Sequence, residues 1–486
     1  MKARYFPHGL VAVLAIGASG AQAHPLSDAD VSALTGQVEA RKPQLAGNAR
    51  KIWEWAEVGF REERSTALLQ SQLKAAGFRI ETGISGIPTA FVATYGDSGP
   101  VIAYLAEYDA LPGLSQVDAP RQATRGGIAG HACGHNLLGA ASVEAAISLA
   151  KWLKQTGTPG TIRVYGSPAE EGGSSKVYFV RDGLFKDVDA VLSWHPSSQN
   201  GAAQGTMLAV ISVKFRFEGI AAHAAAAPER GRSALDGVEI QNVAVNYLRE
   251  HVPQETRIHY TITDGGDQPN IVPAHAESFY YIRHYDADVV RDVFDRVKKA
   301  GEAAALATGT KFSYEIVSGS FGVLPNDTLG RVVDANLRRV GGYRYSPEEA
   351  RFAEAISSTL PAGAGRADPS AIGAYDFGRR TSASSDVGDI SWVTPTSSLG
   401  TATWVPGTVP HSWQAAAASG TSIGVDGALI AAKTLALSGA ELLVNPDTLR
   451  AAKEELRKSQ GAGFHYQPLL GDRKPALDYT QAPARR

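Results

Sequence analysis

The sequence predicts an α/β protein: a central sheet flanked by helices, interrupted by a smaller α+β unit. Three observations carry this. The chain has 486 residues, too many for one simple core, so two domains are expected. Strand-like and helical stretches alternate over residues 161–196, which points to a parallel sheet. From about Met207 the order becomes strand-helix-strand-strand-helix-strand, a compact two-layer unit. The expected boundaries are residues 24–207 and 321–440 for the larger domain, 208–320 for the insert, and 441–486 for a terminal helix and tail.

Composition excludes some classes. With 44% hydrophobic and 20% charged residues the chain reads as globular, and a net charge of −2 offers no electrostatic case for nucleic acid. Lys2 and Arg4 precede an apolar run over residues 9–18 and then Ala21-Gln22-Ala23. This is the layout of an export signal cleaved after Ala23, so the mature chain is expected to be exported, and periplasmic in a Gram-negative host. The run is too short to span a bilayer stably, and no later stretch is expected to be long enough either. One cysteine, Cys133, permits no intrachain disulfide.

Taken in order, residues 28–78 are helical, with Val31, Leu34, Val38 and later Leu68, Leu69, Leu73 at helical spacing and Gly77 as a stop. Strands follow over 90–95 and 101–106, the second ending at Glu107-Tyr108-Asp109, so two acids lie just past its carboxyl end. A Gly-rich loop leads to His131-Ala132-Cys133-Gly134-His135-Asn136 and a helix over 137–153. A strand over 161–165 runs into Pro168-Ala169-Glu170-Glu171-Gly172-Gly173, a helix covers 176–182, and a short strand over 190–193 ends before Trp194-His195-Pro196. In the insert, strand 208–217 precedes Gly219-Ile220-Ala221-Ala222-His223 and helix 233–251. Strands 258–263 and 277–284, helix 288–306 and strand 311–317 complete it. The return carries helices 329–339 and 347–357, then Asp386 and Asp389 near a strand, and His411 before a small-residue run. A helix over 425–437 and a charged helix over 446–459 follow, and the remaining tail reads as extended and solvated.

Cys133 and His135, two apart where a loop enters a helix, can turn toward one metal ion; soft sulfur with imidazole suits zinc and its neighbours. Singly, each feature also fits an ordinary role: a buried inert thiol, a solvated Glu-Glu pair, a core histidine at 195. Their convergence argues otherwise. Asp109, Cys133/His135, Glu170/Glu171 and His195 all come toward the carboxyl edge of one sheet, where ligands gather in open α/β folds. Of two adjacent glutamates, one can bind metal while the other acts as general base.

The set His-x-Cys-Gly-His, Pro-Ala-Glu-Glu-Gly-Gly, Trp-His-Pro, Gly-x-Ala-x-His-Ala-Ala and a late histidine resembles the M20 metallopeptidase/amidohydrolase family, in its aminoacylase-like branch with a cysteine ligand. Cys-Gly-His-Asn-Leu-Leu-Gly, Gly-Arg-Ser-Ala-Leu-Asp and Ser-Asp-Val-Gly-Asp-Ile-Ser-Trp resemble the aminobenzoyl-glutamate hydrolases within it; the resemblance covers residues 46–437. Asn136 departs from the Asp common across the wider branch but agrees with this subfamily.

The resemblance implies a zinc-peptidase-like catalytic domain with a central mixed sheet and an inserted ferredoxin-like dimerisation (lid) domain. It implies two divalent metal ions, zinc or manganese with cobalt also suitable, held by Cys133, His135, Glu171, His195 and His411. Glu170 would be the general base, and Asp109 would orient a ligand from behind. His223 would reach across a homodimer to polarise the scissile carbonyl, and Asn270 and Arg283 would help hold the substrate carboxylate or carbonyl. Glu107 stands where many relatives outside the branch carry a histidine ligand, and its role stays open. The implied reaction is hydrolysis of the amide bond of an N-acyl or N-aroyl amino acid, an aminobenzoyl-glutamate-like compound first. The expected partners are a second copy and a second subunit, with neither nucleic acid nor membrane. Two other readings stay open: a dipeptidase or carboxypeptidase on the same centre, and an exported ligand-binding protein on an inactive hydrolase fold.

Overall fold

The computed structural model describes residues 26–480 apart from 363 and 365–367; the expected export signal lies outside them. Helices α1 (Asp28–Ala40), α2 (Lys42–Trp55) and α3 (Glu63–Ala75) come first. Ser27 and Asp30 close a capping box at the start of α1. Strands β1 (Arg79–Thr82), β2 (Phe91–Tyr95) and β3 (Val101–Ala106) follow, then a short ribbon of β4 (Leu111–Pro112) and β5 (Ala129–Gly130). Next come α4 (His135–Thr156), β6 (Thr161–Gly166), α5 (Ser175–Arg181), β7 (Ala190–Ser197) and β8 (Gln204–Thr206). The chain then leaves for the insert: β9 (Ala209–Glu218), α6 (Ala234–Leu248), β10 (Arg257–Asp264), β11 (His275–His284), α7 (Ala287–Thr308) and β12 (Lys311–Ser320). It returns through α8 (Asp327–Val340), α9 (Pro347–Ser357), β13 (Phe377–Arg380), α10 (Val387–Ser391), β14 (Thr396–Ala402), α11 (Trp413–Ala418), α12 (Ser422–Val444) and α13 (Pro446–Gln460).

The central sheet is mixed, in the order β1-β2-β6-β3-β7-β14. β6, β3, β7 and β14 run parallel, and β2 is antiparallel to β6. Both faces are covered, as parallel strands require. Ile102, Tyr104, Ile162 and Val164 meet the buried sides of α4 and α12 on one face; Leu105, Tyr165 and Val191 meet Val177, Phe179 and Phe185 on the other. The insert is an antiparallel sheet in the order β10-β11-β9-β12, the ferredoxin-like arrangement. Its helices bury Val245 of α6 and Val290, Val293, Phe294 and Val297 of α7 against Ile211, Val213, Tyr280 and Ile282.

Four expectations change. β7 runs on to Ser197, so His195 lies within a strand rather than beyond it; parallel pairing with β14 continues through His195 opposite Gly400 and supplies the reason. Asp386 and Asp389 flank and occupy the short helix α10, and the nearby strand, β14, starts only at Thr396. Among the described residues one helix, α12, is long and apolar enough to cross a membrane. Of its most apolar window 83% is buried inside the protein, between the sheet and α1, α4 and α8, so its apolarity is that of a core helix. Finally, the tail is packed rather than solvated: Leu469 and Leu470 are 4% and 2% exposed. Aromatic side chains there outweigh the polar composition, with Phe464 4.9 Å from Trp392 and Tyr466 5.3 Å from Phe321, centroid to centroid.

Asp389 sits under this tail, accepting from Tyr466 Oη at 2.6 Å and Phe321 N–H at 2.9 Å. Burial pushes its carboxyl up to about 7 despite both bonds. A carboxyl with a raised folded-state pKa binds its proton more tightly when folded, so its contribution to stability is present below pH ~4 and lost as pH rises through about 7. Asp389→Asn is therefore expected to flatten the fall in melting temperature between pH 4 and 7; an unchanged slope by calorimetry would refute this.

Candidate metal centre

The centre is built at the carboxyl edge of β3, β6 and β7, with β3 lying between the other two. Glu107 and Asp109 follow β3 and are buried, at 2% and 1% exposure. The Cys133–His135 turn enters α4 through Gly134, whose φ is +76°. A methyl there would lie 2.7 Å from Pro196 beside His195. Only glycine meets both demands. Gly134→Ala should cost roughly 1–2 kcal/mol from the left-handed backbone alone and separate Cys133 from His195; undiminished metal affinity by calorimetric titration would contradict this.

Each histidine is oriented by a second hydrogen bond. His135 Nδ1 donates to Asp109 Oδ1 at 2.8 Å, leaving Nε2 to act as a ligand. His195 Nδ1 donates to the Pro196 carbonyl at 2.8 Å, and its Nε2 lies 3.5 Å from Cys133 Sγ. His411 Nε2 meets Glu171 Oε1 at 3.0 Å. His411 holds a φ of +60°, a conformation uncommon for non-glycine residues, and its N–H donates to the Ala132 carbonyl.

The donors form overlapping groups. Cys133, His135 and His195 have ligand atoms within 4.8 Å of one another, as do Cys133, Glu171 and His411, and also Glu107, His135 and Glu170. Cys133 belongs to the first two. His135 Nε2 faces Glu107 Oε2 at 3.2 Å, and both are buried without a hydrogen-bond partner. Two lone-pair atoms so placed are satisfied by a proton on the ring or by a cation between or beside them. A thiol, imidazoles and carboxylates together fit divalent transition metals.

Electrostatics separate the two glutamates. Burial, then the charges of Glu107, Glu171 and Asp386, pushes the Glu170 carboxyl well above the ordinary range. Burial also raises Glu171, but the hydrogen bond from His411 and the charge of His135 outweigh it and hold Glu171 low. Burial pushes the Cys133 thiol up, so metal binding must release its proton. His131 is outside the donor groups; burial lowers it to about 3, and its neutral ring donates from Nε2 to the Ile52 carbonyl.

Three contributors were missed by inspection of the sequence. Lys176 is fully buried, with Nζ 2.8 Å from Glu107 Oε1 and 2.6 Å from Asp386 Oδ1. It thus holds Glu107 in place and gives Asp386 its role. A lysine directly after Gly172-Gly173-Ser174-Ser175 and immediately before the apolar run Val177-Tyr178-Phe179-Val180 is the available signal. Glu62 accepts from the Ala169 N–H at 2.9 Å beneath the Glu170–Glu171 turn. Tyr479 donates to the Glu171 carbonyl at 3.1 Å, and nothing local to it signals this. Asn136 donates to the Ala49 and Ser419 carbonyls at 3.2 and 2.9 Å; an ionised Asp could donate to neither, which explains the departure at that position.

Residues 209–308 match the model of the peptidase dimerisation domain. The chain is 40% identical over 460 residues to a p-aminobenzoyl-glutamate hydrolase subunit of Escherichia coli (strain K12), covering 89% of this chain and 96% of that protein. The chain belongs to the M20 family of metallopeptidases and amidohydrolases. It is 32% identical over 319 residues to the Xaa-Arg dipeptidase of Mus musculus, covering 63% of this chain and 70% of that one. Its fold is that of a dinuclear metal-binding peptidase of the M20 family from Bacillus subtilis, with a TM-score of 0.56 at 18% identity over 83% of this chain and 99% of that one. As an M20 member it is a metal-dependent hydrolase of amide bonds.

Within this M20 chain, His223, Asn270 and Arg283 do not join the cluster: among the described residues, no hydrogen bond or ion pair links them to it. His223 and Asn270 lie beyond the far end of the inserted sheet, adjacent through the Ala224 N–H bond to the Asn270 carbonyl. Arg283 pairs with Val210 at the end nearest the catalytic unit. The strand between His275 and Arg283 is roughly 27 Å long, so Asn270 and Arg283 of one chain do not grip one carboxylate.

Proposed function

We propose that the enzyme hydrolyses the amide bond of N-acyl or N-aroyl amino acids, with p-aminobenzoyl-glutamate as the first substrate to test. The observation that carries this is the 40% identity running through 96% of a p-aminobenzoyl-glutamate hydrolase subunit. Cys133, His135, Glu171, His195 and His411 would hold two divalent ions, zinc or manganese, or cobalt. When bound, such ions polarise a carbonyl and bring the pKa of water toward neutrality. Glu170, buried and with its pKa raised, takes the proton from the attacking water and delivers it to the leaving amine. Asp109 fixes the tautomer of His135, and Glu62 and Asp109 hold the Glu170–Glu171 turn by the Ala169 and Glu171 N–H groups.

The remaining site residues act in a homodimer. Ile240, Val243 and Tyr247 form one exposed face of α6, with Tyr247 70% exposed, beside the edge strand β10. Such an apolar face beside an unpaired edge supports pairing with a second copy. Arg283 would then serve the site of its own chain, and His223 and Asn270 that of the partner. His223 Nδ1 accepts from the Ala225 and Ala226 N–H groups at 3.2 Å, which leaves the proton of the neutral ring on Nε2, ready for a substrate carbonyl. The relative's designation as a subunit supports a second protein partner as well, and the leader supports export to the periplasm.

The dipeptidase relative supports a second reading, a peptidase on the same centre. Initial rates on p-aminobenzoyl-glutamate, other acyl amino acids and dipeptides ending in a basic residue, with zinc, manganese or cobalt added, separate the two. Preference for basic dipeptides would overturn the first reading, and failure on every substrate with each metal would favour a binding protein.

A further inference from the structure

Residues 464–480 run from the end of α13 back across the joint between the insert and the catalytic unit and finish at the Glu170–Glu171 turn. That turn is unusual. Ala169 and Ser174 both hold φ of +54°, and Gly172 a φ of +105°. Two of its restraints come from the rigid core, the Ala169 N–H to Glu62 and the Glu171 N–H to Asp109, each at 2.9 Å. Beyond the turn's own backbone bonds, from Gly172 N–H to the Glu170 carbonyl and from Gly173 and Ser174 N–H to the Ala169 carbonyl, a further hold comes from Tyr479, whose hydroxyl donates to the Glu171 carbonyl at 3.1 Å from 308 residues away. That carbonyl belongs to the peptide joining Glu171 to Gly172, whose N–H donates to the Glu170 carbonyl at 2.7 Å within the turn, so Tyr479 holds the other side of a plane that glycine would otherwise leave easier to tilt.

The ring is seated, not merely adjacent. It packs edge-on against Phe60 at 5.5 Å. A methyl on Gly59 would lie 2.0 Å from its hydroxyl, and one on Gly172 would lie 3.3 Å from its ring. Thr480 adds a bond to the Gly59 carbonyl at 3.4 Å.

The same segment grips the insert. The Arg473 carbonyl accepts from Arg181 of α5 at 2.7 Å. Its guanidinium donates to the carbonyls of Ile316 and Val317, the latter at 2.5 Å. These lie on β12, an edge strand whose pairing with β9 slips at that point and leaves Val317 unpaired. One residue thus ties the catalytic unit to the insert.

We propose that Tyr479 is a positioning residue for the hydrolytic reaction, holding the Glu171–Gly172 peptide and through it the two glutamates, and that Arg473 couples this hold to the placement of the insert. The proposal rests on the reading of Glu170 and Glu171 as base and ligand. It is tested on the full chain at saturating divalent metal with the best substrate of the panel. Tyr479→Phe keeps the ring and loses one hydrogen bond, so kcat should fall about fivefold at unchanged KM and unchanged metal content. Tyr479→Ala should lower kcat further, and Arg473→Met should raise KM more than it lowers kcat. A Tyr479→Phe enzyme with the parent kcat overturns the proposal, whatever its melting temperature. If Glu170→Gln is inactive in the same assay while Tyr479→Phe is unaffected, this proposal alone falls; an active Glu170→Gln removes the reading beneath it.

Discussion

Glu170→Gln is expected to lower kcat by about 10³-fold, within the 10²–10⁴ range for loss of a general acid–base group, with metal content unchanged. Gln has the same shape and no ionisable proton, so the substitution removes proton transfer and little else. No neighbour is free to substitute. Glu171 is held by His411 at 3.0 Å, and Glu107 by Lys176 at 2.8 Å. Steady-state kinetics with metal analysis of the same preparation checks both halves. Near-normal turnover would remove Glu170 as the base. Loss of one metal equivalent would make it a ligand instead, in the group it shares with Glu107 and His135.

Lys176→Met should destabilise the protein by about 3–5 kcal/mol, the usual cost of removing one partner from a buried ion pair. Among the described residues its ammonium is the one positive charge bonded to both Glu107 and Asp386, all three being almost completely buried. Without it, Asp386 would face Glu107 and Glu170 with no cation bonded to it, and could lower its energy chiefly by taking up a proton. Glu107 would also lose its anchor opposite His135, so metal affinity should fall together with stability. Denaturant titration measures the first effect and metal titration the second. Lys176→Met combined with Asp386→Asn should recover part of the stability, because one stranded charge is then gone. An unchanged unfolding midpoint for the single variant would show that the ammonium does not compensate these acids.

The α/β class and the strand-end placement of Glu107, Asp109, Glu170 and Glu171 were legible because both rest on local rules. Apolar runs bounded by turns read as strands, and polar residues immediately beyond them can only lie at a sheet edge. The Cys133–His135 spacing was legible for a similar reason, a turn entering a helix. Legibility failed where the partner is remote. The context of Lys176 names no partner until the sheet brings Glu107 and Asp386 onto it, and β7 extends over His195 only because β14 pairs there. Polarity alone makes the tail read as solvated, since Phe464, Tyr466 and Leu470 find their partners only in the folded molecule. The apolarity of α12 was equally ambiguous: the same 23 residues suit a bilayer or a core, and only packing against α4, α8 and the sheet decides.

The sequence by itself determined the class of fold, the inserted unit and the donor types, because periodicity, turn residues and ligand chemistry are properties of short stretches. Tertiary structure alone decided which donors share a group, which imidazole nitrogen is left free, which glutamate has the raised pKa, and that residues near 473 and 479 reach the site. Those properties depend on burial and on contacts across hundreds of residues, and both arise only when the chain has closed its core.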